Sequence, residues 1–343
     1  MHNSHKDPTQ EHDFIYSIED GQSLTDNQCF LCGVALIETN RTDEHVFPQW
    51  LLRRFNLQNQ KINLLNGTSL PYSKLKIPCC NSCNNEHLSR IEIEVGRAFQ
   101  DGPGAVSALD RTTLFLWMGK VYYGILYREL FLPADRKDPS AGSIVSADIL
   151  NTFRMHHTLM QAARGTVRWH QGQFPASIFV FRTQEPADPR DRFDYVDILH
   201  FPFLAMRIGS TAVVASLQDW GALANSVKVP GIEAAKKLSL HPQQFREVSA
   251  LAAYMTTLFN RTPKHIVVSR EDHVEIFTLP IAGLSGKFIF DEFSSEAYMH
   301  ILAQILGMEV SEIYDGKSYR TLLQNTDGTP YTMPIGLDGQ PEA

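Results

Sequence analysis

Five cysteines, Cys29, Cys32, Cys79, Cys80 and Cys83, fall in one short reach of a 343-residue chain, and none follows in the remaining 260 residues. Four of them make two Cys-x-x-Cys pairs, "CFLC" (Cys29, Cys32) and "CNSC" (Cys80, Cys83). Such a turn sets two thiolates on one side of a tight loop, and two turns complete a tetrahedral shell for Zn²⁺. Cys79 is the spare, because only the 80/83 choice leaves a two-residue gap. The N-terminus is polar and acidic and has no apolar core for a secretory signal. A reducing, cytoplasmic setting is therefore expected, in which a disulfide framework is disfavoured. The plain alternative is five small buried residues that cluster by chance.

Between the pairs stands "TDEHVFPQWLL", and the second pair runs on as "CNSCNNEHLSRIEIEV". His45 follows two acids, Asp43 and Glu44, and an imidazole that titrates near neutrality is suited to take a proton from water. An ordinary hydrogen-bonded turn histidine is the competing reading, as a solvated acid is for Glu44. After Cys83 the spacing of Leu88, Ile91 and Val95 predicts an amphipathic helix that starts near Asn84. Asn84 is then a helix cap or a ligand, and His87, three residues on, faces the same side. Asn85 falls in the same exposed first turn. The elements expected are a strand or extended turn carrying His45, a loop, a short strand around Lys74–Ile77, and that helix. Arg53 and Arg54 in "WLLRRF" suit phosphate contacts or a solvated face.

Taken together, "CFLC", "DEHVFP" and "CNSCN" make residues 27–97 resemble an HNH endonuclease domain, a ββα-metal core framed by two zinc-binding cysteine pairs. The resemblance implies structural zinc on Cys29, Cys32, Cys80 and Cys83, and a general base at His45. It implies a catalytic Mg²⁺ or Mn²⁺ on Glu44 and Asn84, to which His87 is added by helical spacing. Carboxylate and amide oxygens suit Mg²⁺, which neutralises a scissile phosphate and its leaving oxygen. DNA, or RNA, would be the substrate, in the setting of restriction or phage defence. Glu44 stands where the family usually has aspartate, and Leu75 where it has its middle asparagine. A second reading is a catalytically degenerate, zinc-framed module that binds nucleic acid or protein.

The totals suit an ordinary globular chain: 43% apolar and 20% charged, which leaves no reason to expect disorder. The net charge of −7 argues against a general nucleic-acid coat, yet residues 29–99 hold eight Lys or Arg against six acids and permit a phosphate contact. The run "TTLFLWMGKVYYGILYRELFL" contains Lys120, Arg128 and Glu129, so it predicts a long helix buried in protein, Leu109 to Leu132, and no membrane partner. The expected organisation is a polar arm (1–26), the cysteine-framed unit (27–100), a break at "QDGPG", a larger mixed region (105–322) and a loose tail (323–343). That larger region reads as a second helix near 147–163, β-rich runs from 166 to 217, a helix at 242–259, two strands around "REDH", and short helices at 295–306 and 311–314. The fold class expected is α+β. His156, His157 and His170 are isolated histidines expected to be structural. The larger region would serve regulation or targeting, through a homodimer contact or a small-molecule activator.

Overall fold

A computed structural model describes residues 15–16, 25–64, 66–198, 200–225, 228–281 and 287–335. Most of the expected 1–26 arm, and the end of the expected tail (336–343), lie outside the described residues. The fold is α+β, as the alternation of periods along the chain predicts.

The cysteine-framed unit is built on an antiparallel hairpin of β1 (Arg41–His45) and β4 (Lys76–Cys80). Between these strands lie a short helix α1 (Gln49–Arg54) and a small hairpin, β2 (Lys61–Asn63) with β3 (Ser69–Pro71). After β4 the chain enters a π-wound turn, Ser82–Leu88, which runs directly into α2 (Ser89–Asp101). Gly102, at φ 94°, ends α2 inside the expected "QDGPG" break, and α3 (Pro103–Ala108) follows.

The long apolar run forms α4 (Arg111–Glu129), capped where Asp110 accepts the Thr112 amide at 2.6 Å. Every residue from Leu114 to Tyr127 is buried, so α4 is apolar all round because protein encloses it on all sides. No helix among the described residues is long and apolar enough to cross a membrane. One face of α4 lies on the cysteine-framed hairpin. Gly124 permits that approach: a Cβ there would sit 3.1 Å from a Val46 methyl and 3.3 Å from the Ile77 methyl. Residues from Cys29 through α4 to Ile276 share one continuous apolar core, so the "QDGPG" turn changes chain direction without dividing that core.

The expected second helix is two, α5 (Ala147–Thr152) and α6 (Arg154–Met160), broken at Phe153. Next come β5 (Val167–Trp169), β6 (Ser177–Thr183), β7 (Phe193–Ile198), β8 (Phe203–Ile208) and β9 (Thr211–Ser216). They are followed by α7 (Ala222–Asn225), α8 (Pro230–Ala235), β10 (Ser239–Leu240), α9 (Pro242–Leu258), β11 (His265–Ser269), β12 (Val274–Thr278), α10 (Ser295–Leu306) and α11 (Val310–Ile313). The main sheet has the order β10-β6-β9-β8-β7, antiparallel but for the β10–β6 pair; a second sheet has the order β11-β12-β5.

Strands β8 and β9 are buried on both faces, which explains why "FLAMRI" and "TAVVAS" are nearly uninterrupted apolar runs. Leu204, Met206, Val213 and Ala215 join the core beneath α4, while Phe203, Ala205, Ala212 and Val214 join a second core around α9 and α10. The expected loose tail is a correction. Leu323 is fully buried, Gln244 donates to the Leu322 and Tyr331 carbonyls, and Gln184 donates to that of Met333. The turn centred on Gly328 folds this segment back, so its two apolar anchors, Leu323 and Met333, reach the body of the protein.

Candidate functional site

The two knuckles close on each other. The Sγ atoms of Cys29, Cys32, Cys80 and Cys83 all lie within 4.8 Å of one another. The Cys32–Cys80 separation of 3.7 Å matches the edge of about 3.8 Å that follows from four sulfurs ~2.3 Å from a shared ion. Local backbone sets this up. Gly33, at φ 71°, turns the first knuckle, whose Phe30 amide donates to the Pro78 carbonyl of β4. The Cys83 amide points at Cys80 Sγ, 3.4 Å away. Hydrogen bonds from Cys32, Cys79 and Cys83 lower the Cys29 pKa, while Cys29 in turn pushes Cys32 up to about 12 and raises Cys79 and Cys83. Four sulfurs this close can hold a metal ion such as zinc. Cys79, facing Cys29 at 3.9 Å, stands behind the four as the buried fifth thiol.

His45 ends β1, where its cross-strand partner is Lys76. Burial first, and then Lys76 and Lys120, lower its pKa, so the ring is neutral at pH 7 and able to accept a proton. Its Nδ1 lies 3.4 Å from Gln49 Nε2, and the same amide's oxygen accepts Arg53 Nη2 at 2.7 Å. Sequence reading missed Gln49. Its signal is position alone, four residues after His45 and at the start of a helix that the proline opens.

Glu44 is turned the other way. Alternation along β1 puts Thr42 and Glu44 on the face opposite Asp43 and His45. Glu44 is only 5% exposed, and its Oε1 accepts Lys120 Nζ at 2.6 Å. The same ammonium donates to Glu92 Oε1 at 2.6 Å and to the His45 carbonyl at 2.7 Å. Desolvation works against the Lys120 charge, but the two carboxylates outweigh it and raise its pKa to about 12; burial pushes Glu92 up to about 7.

Asn84 reaches the Thr42–Glu44 face, but its Nδ2 donates to Thr42 Oγ1 at 3.0 Å, and that hydroxyl donates to the Cys79 carbonyl. His87, three residues on, does not share that face, and burial first and then Arg164 lower its pKa. The physical reason is the winding. A π turn advances less per residue than an α turn, so residues three apart no longer share a side. The expected trio of Glu44, Asn84 and His87 thus does not converge on one divalent ion. An ammonium from α4 takes the carboxylate, and the amide is spent on a hydroxyl. Mg²⁺ or Mn²⁺ does not fit these residues as a set.

Beyond Gln49 the surface opens into a groove of about 650 Å³ between α1 and α2, lined by Trp50, Arg53, Arg54, Glu92, Gly96 and Arg97 among others. The indole of Trp50 lies against Gly96, 3.3 Å from where a Cβ would stand, and stacks on both Phe99 and Trp117, which touch each other as well. Arg54 is fixed by donating to the Phe99 carbonyl at 3.0 Å. Three guanidinium groups, those of Arg53, Arg54 and Arg97, share this groove with the Glu92 carboxylate. Arg97 was not anticipated, since it is one of several charges on a helix whose register only the packing of Val95, Ala98 and Phe99 reveals.

Of the histidines outside this unit, His156 bonds the Gly119 carbonyl at 3.2 Å and His157 that of Phe30 at 2.8 Å, both fully buried, while His170 pairs with Glu275 at 3.0 Å. No protein-family model, curated protein or solved structure matches this chain.

Proposed function

We propose that residues 27–100 form a zinc-stapled nuclease unit of HNH type that hydrolyses phosphodiester bonds in nucleic acid, with His45 as general base. The observation that carries this reading is the placement of a neutral imidazole at the end of a thiolate-clamped strand, linked through Gln49 and Arg53 to an arginine-lined groove. Zinc on the four cysteines holds β1 against the start of the helix and supplies folding free energy to a segment with little core of its own.

The backbone of the substrate would lie along Arg53, Arg54 and Arg97, which neutralise its charge. A phosphate drawing Arg53 away frees the Gln49 amide to rotate and accept the Nδ1 proton of His45. The lone pair is then on Nε2, free to take a proton from the water whose oxygen bonds phosphorus as the P–O bond to the leaving sugar oxygen breaks, that oxygen taking its proton from solvent. No step is routed through a catalytic divalent ion, because Glu44, Asn84 and His87 are committed elsewhere. A place in restriction or phage defence belongs to the same proposal.

The test is purified, zinc-loaded protein incubated with plasmid DNA, single-stranded DNA and RNA, beside His45→Ala. Cleavage of one of these substrates that His45→Ala loses, with groove binding intact, is the expected result. The second reading, nucleic-acid binding without cleavage, is favoured by the Lys120–Glu44 pair, since a family position for a catalytic cation is filled by a protein ammonium. Retained binding with no cleavage of any of the three substrates decides for it.

A further inference from the structure

A cavity outside the cysteine-framed unit lies in the second core, between the start of α8, α9, α10 and residues 319–324. It has a volume of about 360 Å³, within the range of small-molecule sites. Its floor holds Glu247 of α9, which is 1% exposed. One carboxylate oxygen accepts the Thr321 hydroxyl at 2.5 Å and the other the Leu322 amide at 2.6 Å. These bonds orient the group but carry no counter-charge, and among the described residues no basic side chain forms an ion pair with it. Burial accordingly pushes its pKa up to about 7. A buried carboxyl without a cation either keeps its proton or takes a countercharge from elsewhere, and one whose oxygens are held in place at a cavity wall can do the second.

The walls indicate what would supply it. Tyr298, 1% exposed, sits between Phe293 at 5.5 Å and Tyr319 at 5.7 Å between ring centroids. Phe293 and Tyr319 are each 38% exposed and stand at the rim, while Leu251 and Met255, one and two turns along α9 from Glu247, complete an apolar lining. Aromatic faces around a buried acid attract an organic cation, whose charge the rings and the carboxylate share. Lys228 lies exposed at the mouth and disfavours a second positive charge on the ligand.

We propose that this cavity binds a small organic monocation, an amine or methylated ammonium on a short apolar body, with Glu247 as its anion and Phe293, Tyr298 and Tyr319 as its box. This does not depend on the nuclease reading. The full-length protein is titrated by calorimetry at pH 8 with benzylamine, and with benzyl alcohol as the neutral compound of the same shape. Saturable one-to-one binding of benzylamine is expected, at least about tenfold tighter than benzyl alcohol. The groups facing the acid that titrate or carry charge are Lys228, Tyr298 and Tyr319, so binding should weaken as the pH falls from 8 to 6 and Glu247 takes up a proton. Lys228→Ala should bind as well as wild type or better. Glu247→Gln and the rim variant Tyr319→Ala should each lose about tenfold or more, with Tyr319→Ala keeping the test open should Glu247→Gln fail to fold. Equal affinity for the two compounds, no binding of benzylamine, or an unchanged affinity in both variants overturns the assignment.

Discussion

Replacing Lys120 by methionine tests the joint between the cysteine-framed unit and α4. Lys120 Nζ lies 2.6 Å from both Glu44 and Glu92, with side-chain exposures of 1%, 6% and 20% for the three residues. Methionine fills the stem's volume but strands two acids. Glu92, partly in the groove, can rehydrate or take a proton; Glu44 has no such outlet. Removing one partner of a buried ionic cluster costs about 3–5 kcal/mol, and relief at Glu92 places this case near 3. With an m-value of about 3 kcal/mol/M, the urea midpoint should fall by about 1 M. The assay is tryptophan emission in a Trp169→Phe, Trp220→Phe background, leaving Trp50 and Trp117, which stack in the affected core. Adding Glu44→Gln should restore at least half of the loss, because it removes the stranded charge. A midpoint for Lys120→Met within about 0.3 M of its parent, or a double variant no better than the single, refutes the account of the cluster.

Cys32→Ser, or removal of metal by a chelator, should abolish the cooperative unfolding of the N-terminal unit and release about one zinc per chain, measured by elemental analysis. Cleavage should rise with pH through a midpoint below the usual histidine value, because the imidazole must be neutral and burial and Lys76 lower its pKa. Lys76→Glu replaces that repulsion with attraction and should move the rise to higher pH in an initial-rate profile; an unmoved rise would mean that another group titrates. Arg97→Ala should leave the fold intact while weakening binding to a duplex and flattening the slope of log K against log[salt] by about 0.9, one phosphate contact's worth. Gln49→Leu should lower turnover more than binding, since it keeps the arginines and removes the partner of His45 Nδ1.

Much of the fold was legible. The five-residue β1, the long α4, strands β6 to β9, α9 and α10 could be read because each is decided by local burial, α4, β8 and β9 as nearly unbroken apolar runs. Helix α1 was missed because six residues give too short a period, and the break at Phe153 because nothing in its sequence forbids a continuous helix. The cysteine set was legible because thiolate spacing is itself the geometry. What surrounds His45 was not. The partners of Glu44 and His45, Lys120 and Gln49, are 76 and four residues away, and a one-residue step along a strand decides which of them each side chain meets. The π turn is likewise invisible to a pattern that assumes α spacing, and it parts His87 from Asn84.

Helix α4 gives the chain a property that its motif boundaries conceal. Its apolar surface is divided between the thiolate-clamped hairpin and the large sheet, and Lys120 anchors it to the first while the Tyr122 hydroxyl donates to the Phe201 carbonyl beside the second. A gene cut at residue 102 would leave the shorter piece with a bare apolar flank and two acids whose countercharge stayed on the other fragment. The motif-bearing segment is therefore not a cassette to be lifted out and grafted elsewhere. Anything that tilts α4 from the sheet side is felt at the strand that carries His45.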